Sequence, residues 1–320
     1  MSDHSIEVSS DPSRAVEVLR NGGLVAIPTE TVYGLAGDVE HPEAIERIFT
    51  TKNRPPGHPL IIHVSDLSVA EQWADLSSPI AQELAHACWP GPLTLLAARS
   101  SRVPDIVTGG RPTVGIRVPA HPLTQALLKE HGGAIAAPSA NRFGRISPTT
   151  AQHVIDDIAP FLQSGDDLIL DGGPCAVGVE STIIDITTTP PQLLRPGGIT
   201  TEDINRLIGD ISASSGPSRA AGMMASHYAP LTQLRLIEQG EPLPDGDLND
   251  IYLIDRTGDL ADAARNLYSD LRTADSSGAS LIVAVMPPAI GLGHALRDRL
   301  TKAGRKSTRL NSSHLVISYA

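Results

Sequence analysis

The chain has 320 residues, 41% of them hydrophobic and 19% charged, with a formal net charge of -11. That length supplies core for two domains, and the acidic balance excludes a broad electrostatic surface for nucleic acid or anionic membrane. An anionic ligand must therefore be met by a focused cluster of cations.

Asp11-Pro12-Ser13 starts a helix that Gly22-Gly23 ends, and residues 24–27 read as a buried strand. The next stretch, "IPTETVYGL" (27–35), fits neither a strand nor a plain turn, so its hydroxyls and carboxylate mark a site at the strand's end. Pro28 stops the strand, Tyr33-Gly34 turns the backbone under a ligand, and Glu30 is expected to orient Lys52 or Arg54. Further strands are expected at 60–64, 93–96, 113–118, 135–137 and 181–186, between helical stretches and Pro/Gly loops. Residues 1–210 then form one α/β domain.

Polar clusters follow these strands, where open α/β sheets bind ligands. They are Thr29-Glu30-Thr31, Lys52-Asn53-Arg54 with His58, Thr113 and Arg117 on one strand, Ser139 and Asn141, Ser147-Pro148-Thr149, Glu180-Ser181-Thr182, and Arg195-Pro196-Gly197-Gly198. Cations among many hydroxyls suit an anionic, polyoxygenated ligand such as a nucleotide. Alone, several have plainer readings: Lys52 and Arg54 as a solvated helix end, Ser147 to Thr150 as a helix cap, His63 as a core histidine. Arg117, on an apolar strand, needs an anionic partner.

From 211 the composition turns to Ser, Gly and Ala, giving a linker over 211–230. A small α/β domain over 231–304 is expected next, with strands at 251–254 and 281–285 and helical spacing of Leu260, Ala263, Ala264, Leu267 and Leu271. Gly291-Leu292-Gly293 lacks the third glycine of a dinucleotide fingerprint and reads as a strand-to-helix turn. From Lys306, "KSTRLNSSH" resembles a translated sequencing adapter, so 305–320 are expected to be a non-native read-through tail and the natural end to lie near Gly304.

The sequence lacks HExxH, GxSxG and any metal-spaced Cys/His cluster, and Val179-Glu180 stands where a phosphate loop needs Lys-Ser/Thr. Cys88 and Cys175 form no disulfide framework, which fits a reducing, cytoplasmic setting. No apolar run approaches the ~20 residues of a membrane span.

In order along residues 10 to 200, "IPTETVYGL", "KNRP" with "HPL", "TVGIRVP", "APSAN", "GVESTIID" and "LRPGG" closely resemble the YrdC-like domain of threonylcarbamoyl-AMP synthases. "GMMASHYAP" (222–230) and the second domain resemble the longer, two-domain form. The resemblance implies an α/β, twisted mixed-sheet domain with a concave ligand cleft, followed by a linker and a smaller Rossmann-like α/β domain. It implies a nucleotidyltransferase: L-threonine, bicarbonate and ATP give threonylcarbamoyl-AMP and pyrophosphate, the first step of N6-threonylcarbamoyladenosine formation in tRNA. The product would pass to the tRNA threonylcarbamoyl-transferase machinery, with weak direct tRNA binding as a further expectation and no membrane.

By the same resemblance, Thr31, His63, Arg117, Ser139 and Ser181 would hold L-threonine, with Arg117 forked onto its carboxylate. Arg54, His58, Thr113, Asn141, Ser147 and Arg195 would surround ATP, and Lys52 and Arg54 would act catalytically by neutralising phosphates. Magnesium would arrive with ATP, held by phosphate oxygens and water rather than by a protein cluster. The segment 226–230 would cover the site, with Tyr228 as the lid contact. The rivals are a carbamoyltransferase using carbamoyl phosphate and a double-stranded RNA-binding module.

Overall fold

The computed structural model describes residues 6–214, 227–244, 247 and 250–312. It divides the chain into two units, one of Met1–Phe143 and Ser147–Met223, the other of Gly144–Ile146 and Met224–Ala320.

In the first unit, Asp11 caps α1 (Pro12–Arg20) by accepting the Ser13 N–H at 2.9 Å, and Pro12 stands in its first turn. Helix α1 buries Ala15, Val16, Val18 and Leu19. Gly23 then passes so close to Asp166 that an added Cβ would lie 2.1 Å from its carbonyl oxygen. The strands are β1 (Glu7–Ser9), β2 (Val25–Ile27), β3 (Gly34–Asp38), β4 (Ile61–His63), β5 (Leu93–Ala98), β6 (Thr113–Arg117), β7 (Ile135–Ala136), β8 (Leu168–Leu170), β9 (Thr182–Asp185), β10 (Gln192–Arg195) and β11 (Ser212–Ala213). The other helices are α2 (Pro42–Lys52), α3 (Leu67–Ala70), α4 (Pro79–Cys88), α5 (Asp105–Thr108), α6 (Pro122–His131), α7 (Ala151–Ile158) and α8 (Thr201–Ile208).

The eleven strands form one mixed sheet in the order β1-β8-β2-β3-β7-β4-β6-β5-β9-β10-β11. Alternate residues feed two cores. Leu24, Ala26, Leu35, Ala136 and Ile169 join the larger, and Val25, Ile27, Ala36, Ile135, Leu168 and Leu170 the smaller. A sheet covered on both faces explains why its strands are continuous apolar runs.

Every expected strand forms, most of them trimmed by one residue at one end or both, while β5 runs on past the expected 96 to Ala98. Strand β3 differs from expectation: after the "IPTETVYGL" loop the chain returns antiparallel to β2, pairing Ile27 with Gly34, so the stretch is a hairpin connection. Gly34 does not turn the backbone. It packs tightly, and a Cβ there would come within 3.2 Å of the Ala137 Cβ.

The second unit holds β12 (Gln233–Glu238), β13 (Ile251–Ile254) and β14 (Leu281–Met286) in the parallel order β12-β14-β13, with α9 (Leu260–Ser276) and α10 (Gly293–Ser312). Asp259 caps α9 by accepting the Ala261 and Asp262 N–H groups, and of the residues read as helical Ala263, Ala264, Leu267 and Leu271 are buried while Leu260 is half-buried. Gly291-Leu292-Gly293 is the turn into α10, as its pattern implies, and α10 continues past Gly304. None of the helices among the described residues is long and apolar enough to cross a membrane.

Candidate active site

The β2–β3 connection is built by Thr29. Its Oγ1 donates to the Val32 carbonyl at 2.6 Å and accepts the N–H groups of Thr31 and Val32, both at 3.1 Å. The Thr124 hydroxyl donates to the Pro28 carbonyl, and the Tyr33 hydroxyl donates to the Gly173 carbonyl at 2.8 Å. So fixed, the loop turns Glu30 and Thr31 toward β6.

There Arg117 meets both. Its Nη2 donates to Glu30 Oε1 at 2.7 Å, its Nη1 to Thr31 Oγ1 at 2.9 Å, and its Nε to the Gly91 carbonyl at 3.2 Å. Both charged side chains are buried. Glu30 therefore serves Arg117 and not Lys52 or Arg54, and the anion that a buried guanidinium requires comes from the opening motif. Strand register sets His63 beside Arg117, since β4 and β6 pair in parallel. His63 is buried and donates from Nδ1 to the Ile61 carbonyl at 3.2 Å, which leaves Nε2 as an acceptor. Burial, then the neighbouring Arg117, pushes this imidazole down to about 3. Thr113, four residues before Arg117, stands ~13 Å along the same strand, and its hydroxyl bonds none of the residues named with it.

Lys52 ends α2 and is buried, contrary to a solvated helix end. Asn53, in the left-handed conformation at φ 50°, closes that helix. The Lys52 ammonium donates to the carbonyls of Ser139 and Asn141, and its own carbonyl accepts the Phe143 N–H at 2.8 Å. Burial first, then Arg54, holds its pKa well below the ordinary lysine value. Ser139 also bridges Gly34, which ties this loop to the start of β3. Arg54 donates to the Pro59 carbonyl at 3.1 Å and stands 5.5 Å from the Phe143 ring, against which the His58 imidazole packs edge-on. Lys52, Arg54, His58, Ser139 and Asn141 thus meet around one loop.

A third group gathers at β9 and β10. Ser147 donates to Glu180 Oε1 at 2.7 Å, while Thr150, not Ser147, caps α7. Ser181 shares a 2.8 Å hydrogen bond with Thr94, and Arg195 donates to the Ser181 hydroxyl and carbonyl, both at 3.0 Å. Gly197 lies against the Glu180–Thr182 backbone so closely that a Cβ would sit 2.3 Å from the Glu180 carbonyl oxygen. Among the described residues no group of three His, Cys, Asp or Glu side chains could hold a metal ion.

Tyr228 is buried in the second unit, 5.6 Å from the Tyr268 ring and beneath the Arg299 guanidinium. Its φ of 62° is unusual for a residue with a bulky side chain. Ser226, the first residue of the expected lid, lies outside the described residues. Gly144–Ile146 also belong to this unit. The Gly144 carbonyl accepts the Ala229 N–H at 3.1 Å, Arg145 pairs with Asp275 at 3.4 Å, and the Ile146 carbonyl accepts from Arg272 at 2.6 Å.

Sequence reasoning named neither Thr94 nor Gly91 as a site neighbour. Thr94 sits inside an apolar run and Gly91 offers only a carbonyl, so neither carried a local signal.

Residues 17–197 match the family model described as "Telomere recombination", and residues 199–304 match "Threonylcarbamoyl-AMP synthase, C-terminal domain". The chain is similar to the threonylcarbamoyl-AMP synthase of Pyrococcus abyssi, 38% identical over 320 residues, covering 90% of this chain and 92% of the relative. That of Bacillus subtilis is 37% identical over 329 residues, covering 92% and 94%. Among solved structures, P. abyssi Sua5 complexed with L-threonine matches with a TM-score of 0.84 and 36% identity, over 94% of this chain and 98% of that one.

Proposed function

This chain belongs to the threonylcarbamoyl-AMP synthase family, and from that premise we propose that it joins L-threonine, bicarbonate and ATP into threonylcarbamoyl-AMP and pyrophosphate. The observation that carries the reading is the buried meeting of Thr31, His63 and Arg117, a compact set of one cation, one neutral acceptor and one hydroxyl. Such a set suits a small amino acid. Arg117 takes the carboxylate, and His63, Thr31, Ser139 and Ser181 take the remaining polar groups.

Once the threonine ammonium has given one proton to solvent, the amine attacks the bicarbonate carbon, the bond to the bicarbonate hydroxyl breaks, and that hydroxyl leaves as water with a second amine proton, giving a carbamate. A carbamate oxygen then attacks the α-phosphorus, the bond to the β-phosphate bridging oxygen breaks, and pyrophosphate leaves. The nucleophile is already an anion, so positioning and charge stabilisation do the main work. Repulsion among carboxylate, carbamate and triphosphate is the obstacle, and Lys52, Arg54 and Arg195 are the cations we assign to it. A triphosphate beside Lys52 would restore the ammonium that burial disfavours. His58, Thr113, Asn141 and Ser147 complete the nucleotide side.

Magnesium enters as part of the substrate, MgATP. The buried carboxylates Glu30 and Glu180 accept bonds from Arg117 and Ser147, which supports an ion that would be held by phosphate oxygens and water. The product is handed to the tRNA threonylcarbamoyl-transferase machinery. The two free cysteines support a cytoplasmic setting.

Incubation with ¹³C-bicarbonate, L-threonine and MgATP, followed by mass spectrometry, tests the proposal. A threonylcarbamoyl-adenylate carrying one ¹³C is the expected product; an adenylate without the label, or no adenylate, would refute it.

A further inference from the structure

We infer that Glu30 orients Arg117 and, by balancing its charge, makes the amino-acid pocket select a zwitterion over a bare carboxylate. The inference rests on the synthase reading, in which Arg117 receives the substrate carboxylate.

A guanidinium has five N–H groups. Here Nε serves Gly91, one Nη1 proton serves Thr31 and one Nη2 proton serves Glu30. One N–H is left on each terminal nitrogen as a donor for a substrate carboxylate. Glu30 is itself held. Its Oε2 accepts the Ala120 N–H at 3.0 Å, and its carbonyl accepts the Val177 N–H at 2.7 Å. The Arg117 guanidinium is therefore set before any ligand arrives.

The charge balance points the same way. Arg117 and Glu30 cancel at 2.7 Å with both side chains buried, and the adjoining His63 is neutral at physiological pH. An amino acid brings an ammonium with its carboxylate and keeps that balance. A hydroxy acid of the same shape brings a net negative charge into a buried site whose cation is already paired, and that is costly. Glu30 is thus a positioning and specificity-determining residue.

Calorimetric titration of the full chain with L-threonine and with 2,3-dihydroxybutyrate, its 2-hydroxy analogue, tests this in the wild type, Glu30→Gln and Glu30→Asp. The wild type should bind L-threonine at least tenfold more tightly than the analogue. Glu30→Gln should lose tenfold or more in L-threonine affinity while the analogue holds or gains, so that the preference collapses. Glu30→Asp keeps the charge but shortens the reach; it should weaken L-threonine and retain the preference, which leaves a readout even if Glu30→Gln does not fold. An unchanged ratio in Glu30→Gln, or a lost preference in Glu30→Asp, overturns the inference. A wild type that binds no L-threonine refutes the synthase reading beneath it.

Discussion

His63 gives the first test of the pocket's electrostatics. Its imidazole sits at about 3 in the folded protein because burial and Arg117 both oppose its charging, against about 6.5 in an unfolded chain. A folded value below the unfolded one means that the unfolded chain binds more protons between those limits. Stability is therefore lost as pH falls through about 6.5 and goes on falling toward about 3. At pH 5 the unfolded imidazole is ~97% protonated and the folded one almost uncharged, which costs about 2 kcal/mol relative to pH 8. The only tryptophans, Trp73 and Trp89, both lie in the first unit, so their fluorescence in urea reports its unfolding. The wild type should lose ~2 kcal/mol more between pH 8 and pH 5 than His63→Gln, because other titrating groups cancel in the comparison. Equal losses in the two proteins would refute the claim that His63 is held neutral.

Removing Arg117 should not be a clean loss of binding. Arg117→Met strands Glu30 without its cation and should cost ~3–5 kcal/mol in urea unfolding, whereas adding Glu30→Gln should recover most of that but no L-threonine affinity by calorimetry. Gly197→Ala drives a methyl into the Glu180–Thr182 backbone and should cost ~3 kcal/mol or more in urea unfolding, with pyrophosphate release lost. Cys175 is buried and its thiol is pushed up to about 12, so Ellman's reagent at pH 8 should leave it unlabelled until urea is added. Chelation with EDTA should stop pyrophosphate release, and added magnesium should restore it.

Much of the first unit was legible because its sheet is buried on both faces: runs such as residues 24–27 and 135–137 carry no polar side chain to blur them. Strand β3 was hidden by its composition, since Gly34 and Gly37 oppose strand propensity and only close packing requires them. Strand β8, three residues long, is too short to show a period. At the site, Arg117's need for an anion was readable from its apolar strand. The identity of that anion was not, because Glu30 reaches Arg117 across 87 residues of sequence. At Lys52 it is the plainer reading, a solvated helix end, that fails: a lysine there usually projects into water, and only the tertiary loop of Ser139 and Asn141 draws it inside.

The central claim is carbamoyl-adenylation of an amino acid, and pyrophosphate release from MgATP tests it most directly, with L-threonine and bicarbonate omitted one at a time. The account predicts release only when both are present. Release that persists without either one, or that fails with both, would contradict it and return the question to a carbamoyl-phosphate or RNA-binding role.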